Sequence, residues 1–229
     1  VVDFSTIRSS LKKREKAIAI AAVFFISTSI FSPLASAAPS KAPKIVSCKV
    51  TKAKGHTAKN ITPPEVKGPF KNKTFTFTTN CGDVVIEADG KNAPVTVFAL
   101  SALANGGFFD QSLCHRLTTN NIYVLQCGDP TATGSGGPNF SYRDENLPNA
   151  IEANYPAGVV AMANSGPSTN GSQFFIVYED TSLPPSYTIW GKVTKGLEII
   201  QAIAKDGVVG DKTDGTPKQK IAIEKVRVR

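Results

Sequence analysis

Histidine is scarce in this chain: only His56 and His115 occur in 229 residues, and none of the four cysteines forms a C-x-x-C pair. A metal centre built on those residue types lacks ligands at usable spacing, so neither a metal nor any other cofactor is expected. No G-x-S-x-G occurs, which removes the nucleophile elbow of a secreted serine hydrolase. Aromatic residues are not interleaved with basic ones, which argues against a nucleic-acid partner. Internal repeats and low-complexity tracts are missing as well. The uncharged apolar run Ala17 to Phe31 is fifteen residues long, short of the ~20 that cross a hydrocarbon core.

That run has a specific setting. Arg8, Lys12, Lys13, Arg14 and Lys16 precede it, Pro33 breaks any continuing helix, and Ala35-Ser-Ala37 has the small-x-small pattern of a cleavage site. Basic, apolar and small-residue regions in that order describe a secretory signal peptide over 1–37, cleaved near Ala37 and directing export to the cell envelope or beyond. An uncleaved membrane anchor is the alternative. Cys48 resembles a lipid-modified cysteine only superficially, because Lys41, Lys44 and two prolines separate it from the apolar run.

Net charge is +8, but it is unevenly placed. Between Ala38 and Phe70 stand seven lysines and one acid, Glu65, among five prolines. From Lys71 to Arg229, fourteen basic residues face fifteen acidic ones, so this part is close to neutral. The stretch 38–72 therefore reads as a Lys- and Pro-rich linker, and 73–229 as the folded domain. Such a tether acts as a solvated spacer, or associates loosely with anionic envelope polymers.

Within the domain, Phe75–Thr79 and Asp83–Ala88 alternate around an Asn-Cys-Gly turn, a hairpin pattern. Val95–Ala104 repeats apolar residues at helical spacing, after Pro94 in the first turn and before Gly106-Gly107. Short strands are expected at Leu113–Leu117 and Tyr123–Gln126, then a glycine-rich loop over Asp129–Gly137. A strand at Tyr187–Val193, a short helix marked by Leu197, Ile200, Ile203 and Ala204, and a closing strand from Ile221 complete the pattern. Many short strands with two helices predict an antiparallel barrel with helix-covered ends.

The centre of the domain is Val159–Val177, VVAMANSGPSTNGSQFFIV. Two apolar strands enclose an eight-residue loop rich in Gly, Pro and Asn, longer than a hairpin requires; such loops hold binding groups on a rigid frame. Met162 to Phe175, MANSGPSTNGSQFF, resembles the signature loop and strand of the cyclophilins, the peptidyl-prolyl isomerases. Cys114-His-Arg-Leu117 followed by Leu125-Gln-Cys-Gly-Asp129 is similar to the family's other signature. With Gly134-Ser-Gly-Gly137 and Asp144-Glu-Asn146 between them, the resemblance covers roughly Lys73 to Arg229. It implies a closed eight-stranded antiparallel barrel capped by two helices, acting as a monomer on proline-containing polypeptides.

The implied chemistry needs no nucleophile or metal. Amide resonance gives the X-Pro bond a rotational barrier near ~20 kcal/mol, and uncatalysed exchange takes roughly 10 to 100 s. Reaching milliseconds means removing about 6 to 7 kcal/mol, at ~1.36 kcal/mol per decade. Twisting the bond returns a lone pair to the proline nitrogen, and a fixed guanidinium can hydrogen-bond to it mainly in that twisted state. The resemblance assigns this role to Arg116, with Gln126 orienting it. It places His115 beside the substrate and lines the proline pocket with Tyr123, Val124, Phe175, Leu183 and Tyr187. Ala163 and Asn164 would hold the substrate backbone, and Gln173 would contact the peptide or Arg116.

The chain departs from the family pattern in places. Arg116 and Gln126 are ten positions apart rather than eight, with Thr118-Thr-Asn-Asn121 as a longer turn, so the pocket wall is Tyr123, or Ile122 if the count slips by one. Tyr187 stands where histidine is common. The tryptophan usual before the leucine matching Leu183 is missing, with Ser182 or a gap in its place, which implies weak binding of cyclosporin. A submicromolar dissociation constant by calorimetry would refute that. The longer turn and the cysteines resemble exported cyclophilins of high-GC Gram-positive bacteria. Four cysteines allow three pairings; Cys114–Cys127, on neighbouring strands, is the first expectation, leaving Cys48–Cys81 to staple the linker to the barrel. A non-catalytic module or chaperone that holds proline segments without turning them over is the competing reading.

Overall fold

The computed structural model describes residues 46–62 and 65–229; the leader expected at 1–37 lies outside them. In chain order the elements are β1 (Lys73–Thr79), β2 (Gly82–Ala88), α1 (Pro94–Asn105), β3 (Ser112–Leu113), β4 (Arg116–Thr118), β5 (Val124–Cys127), β6 (Val159–Met162), β7 (Phe174–Val177), β8 (Ile189–Lys195), α2 (Leu197–Asp206), β9 (Asp214–Gly215) and β10 (Ala222–Val228). All strands join one curled antiparallel sheet in the order β3-β10-β1-β2-β8-β6-β7-β5-β4-β9.

Ten strands with β3 and β9 at the ends replace the closed eight-stranded barrel that the resemblance implied. The difference has two sources. The strand expected at 113–117 divides at Cys114 and His115: the Cys114 N–H turns to the Ile221 carbonyl, whereas the His115 N–H bonds to the Gln126 carbonyl. In addition, Asp214 and Gly215 pair with Thr118 and Leu117 to add β9, a polar segment with no strand-like alternation.

The core follows from strand periodicity. Trp190, Phe75, Phe108, Phe109 and Phe174 are fully buried inside the curl, with Phe75 and Phe174 each packed edge-on to Trp190 at 5.4 and 5.8 Å. Helix α2 lays Ile199, Ile200 and Ile203 against the sheet. Gly196 opens it at φ 92°, so close to the Asp83 carbonyl that no side chain fits. Helix α1 starts on Pro94 without a side-chain cap of its own. The Glu145 carboxylate supplies one from a distant loop, accepting the Val95 N–H at 2.9 Å.

Residues 46–62 are held against the same compact unit, which takes in Lys44–Arg229. Val46, Cys48, Ala58 and Ile61 pack on the core, and Ala53 is buried. Two disulfides are formed, Cys48–Cys81 and Cys114–Cys127. No helix among the described residues is long and apolar enough to cross a membrane.

Candidate functional site

Successive residues of a strand face opposite sides of a sheet, and this sorts β5, β6 and β7 cleanly. Leu125, Cys127, Val160, Met162, Phe174 and Ile176 point into the core. Val124, Ala161, Phe175 and Val177 form a second apolar cluster on the outer face, joined by Ile122, Ala163, Leu183 and Tyr187. The registers Arg116↔Gln126, Gln126↔Phe175 and Ala161↔Phe175 then set four side chains in one transverse row. Arginine, amide, phenyl ring and small residue thus stand side by side.

Above this row lies a cavity of ≈ 220 Å³ lined by Arg116, Ile122, Val124, Gln126, Ala163, Asn164, Phe175, Leu183 and Tyr187. A neighbouring cavity of ≈ 300 Å³ shares Gln126, Ala163 and Asn164 with it and adds Gln173 and the Gly134–Pro138 loop. Tyr123 is not part of either. The alternation that turns Ile122, Val124 and Gln126 outward turns Tyr123 the other way, edge-on to Tyr178 at 6.0 Å. Ile122 is therefore the wall, and Tyr123 is corrected to a packing residue.

Arg116 is fixed from two sides. Its Nε and Nη2 donate to the two Asp214 carboxylate oxygens, each at 2.7 Å, and Nη1 donates to Gln126 Oε1 at 3.2 Å. Three of the five guanidinium N–H groups are used, leaving two without a partner among the described residues on a side chain that lines the cavity. The Asp214 hydrogen bond raises the arginine further above its ordinary pKa and holds the carboxyl below the usual range. Gln126 Nε2 in turn donates to Gln173 Oε1 at 2.8 Å, and Gln173 Nε2 to the carbonyls of Gly134 and Gly136 at 2.9 and 2.8 Å.

Asp214 carried no signal in the sequence. It lies 98 positions from Arg116 in a Thr-Asp-Gly-Thr turn, and only the need of an arginine beside an apolar hollow for a counter-ion could have pointed to it. Asp214→Ala is expected to lower kcat/KM about tenfold, because the guanidinium plane loses its bidentate clamp. Asp214→Asn, which keeps one acceptor, recovers part of that in the same assay. Because the folded carboxyl is depressed, the ion pair is complete above the unfolded value near 3.8 and lost only as pH falls below it. Activity should be indifferent to this group from pH 5 upward.

The rest of the wall is also braced. Tyr155 is fully buried; its hydroxyl donates to the Tyr187 carbonyl and accepts the Tyr187 N–H, both at 3.1 Å. Burial pushes that phenol up to about 12. Its ring packs against Phe175 and Tyr187 at 6.1 and 6.2 Å, so it sets the position of the pocket's far side, a role sequence reasoning missed. Asn164 closes the signature loop, its Nδ2 donating to the Ser186 carbonyl and its Oδ1 accepting the Gly166 N–H. The Asp144 carboxylate ties that loop down through Ser168 N–H and Asn170 Nδ2.

His115 lies behind the site. It lines neither cavity, its ring is next to Gly134, and both ring nitrogens are buried with no partner among the described residues. Burial lowers its pKa, Arg116 adds to this, and the Asp129 carboxylate opposes it without prevailing. The unfolded chain therefore takes up this proton more readily, and stability falls as pH drops below the ordinary value of 6.5. His115→Phe should flatten that part of the stability-versus-pH curve in urea titrations; an unchanged slope would show that the imidazole is not the titrating group.

A curled antiparallel sheet with two helices and an anchored arginine beside an apolar hollow is the cyclophilin fold. The family model described as "Cyclophilin type peptidyl-prolyl cis-trans isomerase/CLD" matches residues 74–228, and the chain belongs to that family. It is 39% identical over 197 residues to a probable peptidyl-prolyl cis-trans isomerase B of Mycobacterium leprae, covering 80% of this chain and 67% of that protein. To the protein of the same description in Mycobacterium tuberculosis it is 42% identical over 164 residues, covering 67% of this chain and 53% of that one. The chain thus spans between about half and two thirds of these relatives, whose source bears out the expected high-GC Gram-positive placement. Among solved structures, a Cryptosporidium parvum cyclophilin-type isomerase superposes with a TM-score of 0.59 at 28% identity, over 69% of this chain and 98% of that one. A second structure of that protein, obtained in the presence of the dipeptide Ala-Pro, gives 0.57 at 29% identity, over 68% and 98% of the two chains.

Proposed function

We propose that this chain is an exported peptidyl-prolyl isomerase that speeds X-Pro rotation in folding secreted or envelope proteins. Arg116 stabilises the twisted amide. The observation that carries this reading is the clamped guanidinium with two free N–H groups at the rim of a hollow walled by Phe175, Val124 and Leu183. A proline ring seated on Phe175 brings its nitrogen toward Arg116, while the peptide backbone runs past Ala163, Asn164 and Gln173. Proline-containing segments as substrates are supported by the Ala-Pro dipeptide present with the Cryptosporidium relative. The protein works as a monomer, with its lysine-rich approach segment loosely attracted to anionic envelope polymers.

One observation favours the competing reading of a holding module: Asp214 already neutralises much of the charge that Arg116 would offer. A proline-isomerisation assay on residues Ala38 to Arg229 beside Arg116→Ala separates the two. Equal rates for both proteins would leave only the binder. Export is tested by recovery of the protein outside the producing cell with its N-terminus at Ala38; retention of the intact leader in the membrane fraction would favour the anchor.

A further inference from the structure

Residues 46–62 precede the part shared with the family at 74–228, yet they touch the loop on which the arginine's support ends. That loop is organised by Asp129, a buried carboxylate that accepts the N–H groups of Thr131, Thr133, Gly134 and Gly136 at 2.7 to 3.1 Å. Burial works to raise this carboxyl, but the Thr131 hydroxyl and the N–H groups of Gly136, Thr131 and Gly134 together hold it below the ordinary range. From the loop, the carbonyls of Gly134 and Gly136 hold Gln173, which holds Gln126, which holds Arg116. Asp129 anchors the loop from within, and the N-terminal segment grips it from outside. The His56 N–H donates to the Pro130 carbonyl at 2.8 Å. Gly55 lies so close to the Thr131 carbonyl that a Cβ there would overlap the oxygen.

The segment is itself firmly tethered. Cys48 is bonded to Cys81, Lys49 N–H donates to the Asn80 carbonyl at 2.8 Å, and Asn80 Nδ2 returns a bond to the Lys49 carbonyl at 2.9 Å. His56 Nε2 lies 3.2 Å from the Asp110 carbonyl oxygen. We propose that residues 46–62 are a strap that positions Arg116, acting through the Pro130 carbonyl and the Asp129 loop. A hydrogen-bonded relay of this kind transmits displacement because Gln173 and Gln126 each link the member before to the member after, and small misplacements at a reacting centre are costly. The strap is a positioning element and touches no substrate. The proposal rests on the isomerase reading of the site.

The test uses the full chain expressed with its own leader. Gly55→Ala pushes the strap from the loop, and Cys48→Ser with Cys81→Ser releases its tether. Two readouts are followed: the Arg116 Nε–H resonance without substrate, and kcat/KM on a proline peptide with Arg116→Ala as the inactive reference. The expected result is a shifted or broadened Nε–H signal in both variants, with kcat/KM about three- to tenfold lower and KM little changed. Loss of thermal stability with the Nε–H signal and kcat/KM as in the wild type would overturn the proposal, showing the strap to be structural only. Should the double cysteine variant not fold, Gly55→Ala decides alone. If the wild type proves no faster than Arg116→Ala, the isomerase reading fails, and the Nε–H signal of Gly55→Ala still decides whether the strap positions the arginine.

Discussion

Arg116→Ala should lower kcat by about 10²- to 10³-fold while leaving KM near the wild-type value, the cost typical of removing one preorganised donor from a developing charge. The asymmetry is the diagnostic part. On the proposed mechanism the guanidinium meets a lone pair that exists only when the amide is twisted, so its loss should weaken the transition state and hardly touch ground-state binding. Binding should then rest on Phe175, Val124, Leu183 and Tyr187, which line the cavity beside Arg116. Stability should move little, since the side chain is 45% exposed and its ion pair with Asp214 is partly solvated. Arg116→Lys should not rescue turnover. An ammonium cannot serve two Asp214 oxygens and Gln126 while keeping donors free for substrate. Single-turnover exchange on a proline tetrapeptide checks both variants, and a KM change as large as that in kcat would point to uniform binding instead.

Much of this arrangement could be read before any coordinates. The hairpin at β1–β2, both helices and the closing strand carry a period of 2 or 3.6, and the two strands around the signature loop are short apolar runs on either side of turn residues. These signals are local, and the fold keeps them. What stayed hidden is long-range. Strand β9 consists of Asp214 and Gly215 and exists because β4 has a free edge there; no residue pattern within two positions can announce that. Tyr123 against Ile122 was a question of phase, and a one-residue slip inverts which side chains face the hollow. Tyr155 reaches the pocket only through the backbone of Tyr187, so its role depends on tertiary placement. The Lys- and Pro-rich composition of 38–72 spoke for a tether, yet its described residues carry Ala53, Ile61 and Cys48 onto the core. Sparse apolar residues in a charged stretch are enough when a disulfide fixes where they land.

Breaking the Cys114–Cys127 disulfide should weaken both the framework and turnover. Cys114→Ala with Cys127→Ala is expected to lose about 3 kcal/mol of unfolding free energy, from the denatured-chain entropy that a crosslink over a short loop removes; the two residues are 13 positions apart. Activity should fall with it, for a reason separate from stability. Cys114 stands two residues before Arg116 and Cys127 one after Gln126, so the bond clamps the strand pair that sets these two side chains opposite each other. Strand β4 has three residues and β5 four, and a ladder that short is marginal without support from elsewhere. The main-chain break at Cys114–His115 removes further support, because the chain there leaves β10 for β5. Urea titration measures the first effect, and kcat at a temperature where the variant remains folded measures the second, expected about three- to tenfold down. A variant that unfolds more easily yet turns over at the wild-type rate would show that β9, through Asp214, suffices to hold the arginine, moving the weight of the site from the crosslink to the ion pair.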